Sequence, residues 1–289
     1  MNLNTVVMCF CLMVTITTGT PMLPEIIEPE PIAQEVYVPT LMYHHITNEF
    51  SNGATITPEL FEEHMQTIVN NGYTPVLFDD MINFVYNPKA RLPEKSVCIT
   101  FDDGYLSNYE YAYPILKEKN IKANISIIGH AIGMDTYKDT SHPMIPHFDM
   151  IQALEMQKSG LIQIENHTYD MHQESFLEDG EYIRENAIKL QNETEENYIL
   201  SMQDDFNTMK NIFNNYLGKD TLVFTYPHGK NTELSEKVLK DLGVVMTITT
   251  QNGNNLIQKG NSECLYKIKR YNICNEVSSE QLLKYLEQR

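Results

Sequence analysis

From residue 38 onward, short apolar runs alternate with amphipathic stretches, and this alternation constrains the fold more than any other feature of the sequence. The run 97–101 (VCITF) is apolar throughout, which is typical of a strand buried on both faces. The segment 58–70 follows Thr57 and opens with Pro58, residues that favour a helix start. Strands that alternate with helices predict parallel pairing through crossover connections. About seven such units predict an α/β fold, a closed or nearly closed (β/α) barrel.

The polar residues that directly follow the predicted strands are the candidates for a site, because active residues of such barrels lie at the C-terminal ends of strands. The predicted strands are 38–43, 97–101, 123–128, 161–164, 222–225, 244–249 and 266–273, and the predicted helices are 58–70, 109–119, 148–159, 194–215, 233–242 and 279–287. The residues that follow strands include His44, His45, Asp102, Asp103, His167 and the turn 227–229.

The N-terminal 36 residues differ in character from the rest. An apolar run at 6–16 is followed by small and polar residues, so we predict a secretory signal peptide at 1–20 and a secreted or cell-surface protein. An uncleaved N-terminal anchor and a cytosolic protein with an apolar leader are the alternatives. Proline and glutamate enrichment predicts an extended linker at 21–36. The remainder, 37–289, is predicted to form one domain.

Charge and cysteine content exclude several classes of partner and site. The net charge of −18 repels phosphates and anionic lipid, so we expect no nucleic-acid partner and no membrane association beyond the N-terminal anchor. After residue 36 the cysteines are Cys98, Cys264 and Cys274, without C-x-x-C spacing. This pattern argues against a disulfide framework and against a thiolate zinc site.

Two adjacent carboxylates, Asp102 and Asp103, follow the buried run in the sequence Thr-Phe-Asp-Asp-Gly. Successive side chains at a strand end point in different directions, so one carboxylate can bind a metal ion while the other serves as a base. Asp-Asp-Gly is also a common solvated turn, and the pair alone does not define a site.

Two histidines, His167 and His172, follow the predicted strand 161–164 in the sequence His-Thr-Tyr-Asp-Met-His. Five residues of separation would place them about 140° apart on a helix, but they can converge from a loop. Two neutral imidazoles and one carboxylate form a three-ligand site for zinc or a similar divalent ion, with a position left for water. Each histidine alone is more often a surface or packed residue.

Two further strand ends carry groups that suit proton transfer and oxyanion binding. His44 ends the sequence Leu-Met-Tyr-His, and a histidine pKa near neutrality suits a general acid. Its neighbour His45 is interpreted as the polar start of a loop. The Pro-His-Gly turn at 227–229 can present the backbone N–H of His228 to a developing oxyanion, although by itself it is only a turn.

Taken in this order, the Thr-Phe-Asp-Asp-Gly and His-Thr-x-x-x-His motifs resemble the first two motifs of the NodB-like polysaccharide deacetylases, carbohydrate esterase family four. The resemblance extends over nearly all of the sequence from Leu41 to Ile273. The Leu-Met-Tyr-His opening is further similar to the circularly permuted branch that includes bacterial deacetylases of poly-N-acetylglucosamine. In that branch an N-terminal histidine takes the place of the histidine in the last family motif. The resemblance implies a distorted (β/α) barrel.

The resemblance also implies an activity and a role for each matching residue. The activity is metal-dependent removal of N-acetyl groups from an acetylated glycan, one that contains N-acetylglucosamine. The residues implied to bind the metal are Asp103, His167 and His172. Asp102 is implied to be the general base and His44 the general acid. The His228 N–H is implied to bind the oxyanion, and Arg270 to orient Asp102. These ligand types favour zinc, and cobalt, nickel or manganese could occupy the same set.

Two departures from the family pattern are visible: the first leaves the expected activity unchanged, and the second affects the expected shape of the substrate groove. The arginine that usually precedes the proline-rich turn is replaced by Thr225-Tyr226, as is common in the permuted branch, and position 228 is histidine instead of the more usual tyrosine or tryptophan. The chain has no tryptophan, so sugar stacking is expected from tyrosines such as Tyr105 or Tyr169.

Three other readings of the same residues stay open. The first is an O-acetyl esterase that acts on xylan or another acetylated glycan. The second is a catalytically inactive relative that binds a glycan. The third, an unrelated α/β barrel, would require four separate segments to carry matching motifs at strand ends by coincidence.

Overall fold

The computed structural model describes residues 34–179 and 183–288. The predicted signal peptide, 1–20, and nearly all of the predicted linker, 21–36, lie outside these residues. The end of that linker segment belongs to the fold, because Glu35–Tyr37 is a strand that pairs antiparallel with Leu256–Gln258. Val36 is buried in this pair, so regular structure starts two residues before position 37.

The described residues form twelve strands and seven α-helices. The strands are β1 (Glu35–Tyr37), β2 (Thr40–Tyr43), β3 (His45–Ile46), β4 (Thr55–Ile56), β5 (Thr74–Val76), β6 (Ser96–Phe101), β7 (Ala123–Ile127), β8 (Ile162–Asn166), β9 (Val223–Thr225), β10 (Met246–Ile248), β11 (Leu256–Gln258) and β12 (Tyr271–Asn272). The helices are α1 (Pro58–Asn70), α2 (Phe78–Tyr86), α3 (Tyr113–Glu118), α4 (Met150–Lys158), α5 (Glu195–Leu217), α6 (Glu233–Asp241) and α7 (Ser279–Glu287). A π-helical turn, Asn108–Ala112, leads directly into α3.

The main sheet consists of parallel strands that curl into a distorted barrel. Its strand order is β10-β9-β8-β7-β6-β2-β12, and β5 pairs with the beginning of β6. Every pair in this sheet is parallel, and helices lie in the connections between strands. The predicted (β/α) barrel of about seven strands is therefore confirmed.

The segment 268–272 closes the barrel by changing partner along its length. Ile268 forms an isolated parallel bridge with Ile248 of β10, whereas Tyr271 pairs with Leu41 of β2. The prediction of one continuous strand over 266–273 was therefore wrong. The segment cannot stay in register with two strands at once, and the left-handed backbone of Lys267 (φ 60°) interrupts it at the start. This change of partner places Arg270 at the point of closure.

Alternate residues of the central strand β6 face two different cores. Val97, Ile99 and Phe101 belong to a cluster that includes residues of the surrounding helices α1, α3, α4 and α5. Cys98 instead packs in a cluster with Val223 of β9, on another part of the sheet, so this face is the barrel interior. The same alternation directs Thr100 and Asp102 inward, toward the C-terminal end of the barrel.

Most helix positions agree with the sequence predictions because their caps are encoded locally. Thr57 accepts a hydrogen bond from the Leu60 N–H at the start of α1, and α1 and α7 have the predicted bounds. Helix α2 was not predicted from the sequence. No helix among the described residues is long and apolar enough to span a membrane.

Candidate metal centre and active site

The candidate residues converge because parallel strands end at the same edge of the barrel. His44 directly follows β2 and Asp102 directly follows β6, and these two strands pair with Tyr43 opposite Phe101. The Asp102 N–H donates to the Tyr43 carbonyl over 3.0 Å, which fixes the two strand ends against each other. On the next strand pair, the His167 N–H donates to the Ile127 carbonyl over 3.0 Å. The predicted strand-end positions of these residues are confirmed.

Asp103, His167 and His172 form a compact group whose geometry fits a metal ion. Their potential ligand atoms all lie within 4.8 Å of one another. Asp103 Oδ1 lies 3.4 Å from His167 Nε2 and 3.8 Å from His172 Nε2. Two ligand atoms that bind zinc tetrahedrally at 2.0–2.2 Å are about 3.4 Å apart, so the group is already close to ligand spacing.

The hydrogen bond made by the other ring nitrogen of His167 supports the same interpretation. Its Nδ1 lies 2.8 Å from the Thr225 carbonyl oxygen, at the end of β9. A carbonyl can only accept, so the Nδ1 carries a proton. Burial would lower the pKa of His167, but Asp103 raises it, so without a metal ion the Nε2 also carries a proton toward Asp103, and a bound metal would take the place of that proton. A backbone carbonyl that orients a histidine in this way is a common partner of metal-binding imidazoles.

The protonation states of Asp103 and His172 also suit a cation. Burial would raise the pKa of the Asp103 carboxyl, but the hydrogen bond from His167 and the charges of His172 and His44 lower it well below its ordinary value. Burial lowers the pKa of His172 to about 4, against the opposing charge of Asp103. At neutral pH the group therefore offers an ionised carboxylate and a neutral His172 imidazole, the forms that bind a divalent metal.

Backbone conformation directs the Asp103 side chain away from that of Asp102. Asp103 has φ 74°, in the left-handed region that aspartate tolerates better than most residues. Gly104 follows with φ 87°, and a Cβ there would lie 2.9 Å from Ile127 Cγ2, so only glycine fits. The Asp-Asp-Gly sequence thus forms a tight turn that presents two carboxylates in two directions, as its residue types predicted.

Asp102 forms a bidentate ion pair with Arg270 inside the barrel. Its Oδ1 and Oδ2 accept from Arg270 Nη1 and Nη2 over 2.6 and 2.7 Å, and the arginine is 1% exposed. Arg270 is held in turn by the Thr249 carbonyl (2.8 Å) and by Thr100 Oγ1 (3.1 Å). Burial would raise the pKa of Asp102, but Arg270 lowers it. The carboxylate is therefore ionised and fixed in orientation.

His44 and His228 lie beside this group. His44 is near enough for its charge to lower the pKa of both Asp102 and Asp103, and its Nδ1 is buried without a hydrogen-bond partner among the described residues. The imidazole of His228 lies against that of His172, with ring centroids 4.5 Å apart. His228 has a left-handed backbone (φ 53°, ψ 14°), which sets the turn that follows β9. The roles of both residues stay predictions.

A cavity of about 730 Å³ opens beside the group, and Asp103 and His172 are among its lining residues. Of the two tyrosines expected to stack on sugar, Tyr105 lines the cavity and Tyr169 does not. Tyr169 packs against Gly129, where an added Cβ would lie 2.5 Å from its ring, so it supports the loop beneath the site. His45 also lines the cavity, 5.2 Å from the Tyr105 ring, and is more than the polar loop start that we expected.

Sequence reasoning missed the cavity residues that do not follow a strand. His147 lies in the long connection between β7 and α4 and reaches the site because its backbone bridges to Tyr105. Phe50 lies in the connection between β3 and β4. Neither segment has a periodic hydrophobic pattern from which its place beside the site could be predicted.

The barrel and its Asp-His-His group define a class, the (β/α)-barrel proteins with a candidate metal site at the strand ends. Comparison with known families is more specific, since the family model described as polysaccharide deacetylase matches residues 89–247, more than half of the chain. The Bacillus subtilis protein YxkH, provisionally named a polysaccharide deacetylase, is 30% identical over 250 residues, which are 86% of this chain and 76% of that protein. The chain belongs to the polysaccharide deacetylase family.

A second relative carries a more specific name. The poly-beta-1,6-N-acetyl-D-glucosamine N-deacetylase of Staphylococcus aureus (strain MRSA252) is 32% identical over 162 residues. The alignment covers 55% of this chain and 49% of that enzyme, so the chain spans about half the length of the staphylococcal enzymes that it matches.

Solved structures agree with the fold. A de-N-acetylase from Aggregatibacter actinomycetemcomitans superposes with a TM-score of 0.72 at 24% identity and covers 86% of this chain and 99% of that chain. IcaB from Ammonifex degensii gives a TM-score of 0.69 at 22% identity, with 87% and 97% covered. These likenesses place the chain in the distorted NodB-like barrel fold.

Proposed function

We propose that this protein is a metal-dependent hydrolase that removes N-acetyl groups from a glycan built from N-acetylglucosamine. The observation that carries the proposal is the Asp103-His167-His172 group, which lies beside an ionised Asp102 and His44 at one edge of the barrel. The name of the staphylococcal relative supports poly-β-1,6-N-acetylglucosamine as the substrate. The ligand types favour zinc, and cobalt, nickel or manganese fit the same donors.

In this mechanism each neighbouring residue has one task. A divalent ion held by Asp103, His167 and His172 would polarise the acetyl carbonyl and lower the pKa of a water molecule. Asp102 accepts the proton of that water as its oxygen attacks the carbonyl carbon. Arg270 keeps Asp102 ionised and oriented, which leaves the carboxylate ready to accept a proton across the neutral range.

Breakdown of the tetrahedral species requires a second proton transfer. The backbone N–H of His228 stabilises the oxyanion by donating to it. The C–N bond breaks, protonated His44 donates to the departing amine nitrogen, and acetate leaves. His44 suits this step because it lies beside both carboxylates.

The direct test is acetate release by the purified protein from poly-N-acetylglucosamine, chitooligosaccharides and acetylated xylan, with and without a chelator. We expect release from the N-acetylated glycans that stops when the chelator is added and returns with zinc. Release from acetylated xylan alone would favour an O-acetyl esterase. No release from any glycan by protein with bound metal would overturn the proposal and favour a glycan-binding relative.

Replacement of His44 tests the second proton transfer. His44→Gln keeps a polar side chain of similar length but cannot transfer a proton, so kcat is expected to fall by about 10²- to 10⁴-fold. Metal content should stay at the wild-type value, because His44 is not one of the three ligands. Steady-state acetate release and metal analysis of the same preparation check both points. Wild-type kcat in His44→Gln would remove the residue from the mechanism.

The proposed location follows from the substrate class and the N-terminal sequence. An exported enzyme would meet a polymeric glycan outside the cytoplasm, and within residues 1–20 the apolar run 6–16 is followed by small and polar residues, as in a secretory signal peptide. We therefore propose export, followed by release or retention at the cell surface through the N-terminal segment.

A further inference from the structure

One wall of the cavity is a row of four aromatic rings. The row starts at Phe50, which is 42% exposed, and continues through His45 and Tyr105 to His147. Successive ring centroids are 5.7, 5.2 and 4.9 Å apart. Tyr105 is two residues from Asp103, so the row leads from the cavity mouth to the candidate metal centre. We call these four residues the aromatic row.

Carboxylates flank the aromatic row, and no lining residue within the described ranges is lysine or arginine. Glu49 lies near enough to His45 for its charge to oppose the effect of burial on the histidine pKa. Glu174 lies near enough to Tyr105 for its charge to act on that side chain. Both glutamates line the cavity, as does Glu110.

The nearby cation Lys138 does not neutralise this wall. Its Nζ lies 2.8 Å from Asp170 and also pairs with Glu178, and neither acid is a lining residue. Asp170 and Glu178 therefore balance the charge of Lys138, which does not pair with Glu49 or Glu174. The cavity lining therefore offers the carboxylates of Glu49, Glu110 and Glu174, which would attract a cationic ligand more than a neutral one.

His147 adds an unpaired polar group at the inner end of the row. The residue is 8% exposed, and its Nδ1 is buried without a hydrogen-bond partner among the described side chains and backbone. Burial lowers its pKa to about 4, so the imidazole is neutral and can both donate and accept a hydrogen bond. A buried polar atom of this kind requires a partner, and a hydroxyl group of a ligand can supply it.

We infer that the cavity binds glucosamine units that have already lost their acetyl groups, next to the N-acetylated unit at the metal centre. This inference rests on the proposed function. The aromatic row offers apolar faces to pyranose rings, Glu49 and Glu174 offer charge partners to the ammonium group of each such unit, and His147 offers a hydroxyl partner. A fully acetylated chain lacks the ammonium groups, and an acidic glycan would be repelled.

The inference predicts a preference for partly deacetylated chains over fully acetylated ones. Each turnover produces an amine that the adjacent part of the cavity then favours, so consecutive units would be deacetylated in blocks. The fully deacetylated oligomer should bind as a product and compete with substrate. Both effects should weaken as salt concentration rises, because they depend on ion pairs.

Calorimetry tests the inference by measuring how tightly a β-1,6-linked glucosamine oligomer binds to the metal-loaded protein. This ligand carries no acetyl group, so binding is measured without hydrolysis. The test variant is Glu49→Gln/Glu174→Gln. The matched control is Glu118→Gln/Glu276→Gln, which changes net charge equally at two exposed residues that do not line the cavity. We expect about a tenfold weaker Kd for the test variant and an unchanged Kd for the control.

The outcomes separate this inference from the proposed function. Equal affinity of the wild type and the test variant would overturn the inference, even if acetate release is normal. Equal weakening in both double variants would also overturn it, because it would show a general charge effect. Failure of the wild type to release acetate from any N-acetylated glycan would instead contradict the proposed function, and this outcome is read in a separate assay.

Discussion

Replacement of Asp103 with asparagine is expected to remove the bound metal ion and to lower acetate release by about a thousandfold. The metal contributes several kcal/mol of charge stabilisation in the transition state, and each 1.4 kcal/mol corresponds to a tenfold change in rate. Asparagine is the appropriate substitution because it tolerates the left-handed backbone of position 103 (φ 74°), where alanine would add strain. The change therefore removes the charged ligand while leaving the turn in place.

Metal analysis and thermal unfolding of the same preparations separate loss of the site from loss of the fold. The variant should contain little metal and should unfold at a temperature close to that of metal-free wild-type protein. Asp139→Asn serves as the control, since Asp139 is exposed and lies outside the Asp-His-His group. A variant that keeps both its metal and full activity would exclude Asp103 as a ligand.

The candidate site was predictable because its residues follow strands whose apolar runs are visible in the sequence. His44, Asp102 and His167 each occupy the first position after a strand, and parallel pairing brings those positions to one edge. The cap of α1 was predictable for a similar local reason, since Thr57 and Pro58 mark its start.

What the sequence could not predict depends on contacts between distant segments. The change of partner at 268–272 requires knowledge of both barrel edges, which lie far apart in the chain. The position of His147 depends on a bridge to Tyr105, 42 residues earlier, and on a hydrogen bond from its own N–H to the Met134 carbonyl, and the loop sequence specifies neither contact. The aromatic row is similarly assembled from four separate segments, of which only that of His45 is a strand, the two-residue β3.

Replacement of Arg270 with methionine is expected to destabilise the protein by about 3–5 kcal/mol at neutral pH, because it leaves the buried carboxylate of Asp102 without its partner. The arginine is 1% exposed and donates twice to Asp102, so water cannot take over its role. Urea unfolding of the variant and the wild type measures the difference. A second variant, Asp102→Asn/Arg270→Met, removes both charges and should recover part of the loss.

The pH dependence of this difference distinguishes loss of the ion pair from loss of packing. In the wild type the pKa of Asp102 is lowered, so the stability it contributes is present above the carboxyl pKa of the unfolded chain and is lost as pH falls. In Arg270→Met, burial without a counter-charge raises that pKa, and the folded state is then destabilised as pH rises.

The difference in unfolding free energy between the wild type and Arg270→Met should therefore be largest at neutral pH. It should narrow as pH is lowered toward the range where carboxyl groups titrate. The double variant lacks the Asp102 carboxyl group, so its difference in unfolding free energy from the wild type should narrow less, and only by the stability that wild-type Asp102 itself loses at low pH. A gap that stays constant with pH would assign the loss to the packing of the arginine and to its bonds with Thr100 and Thr249.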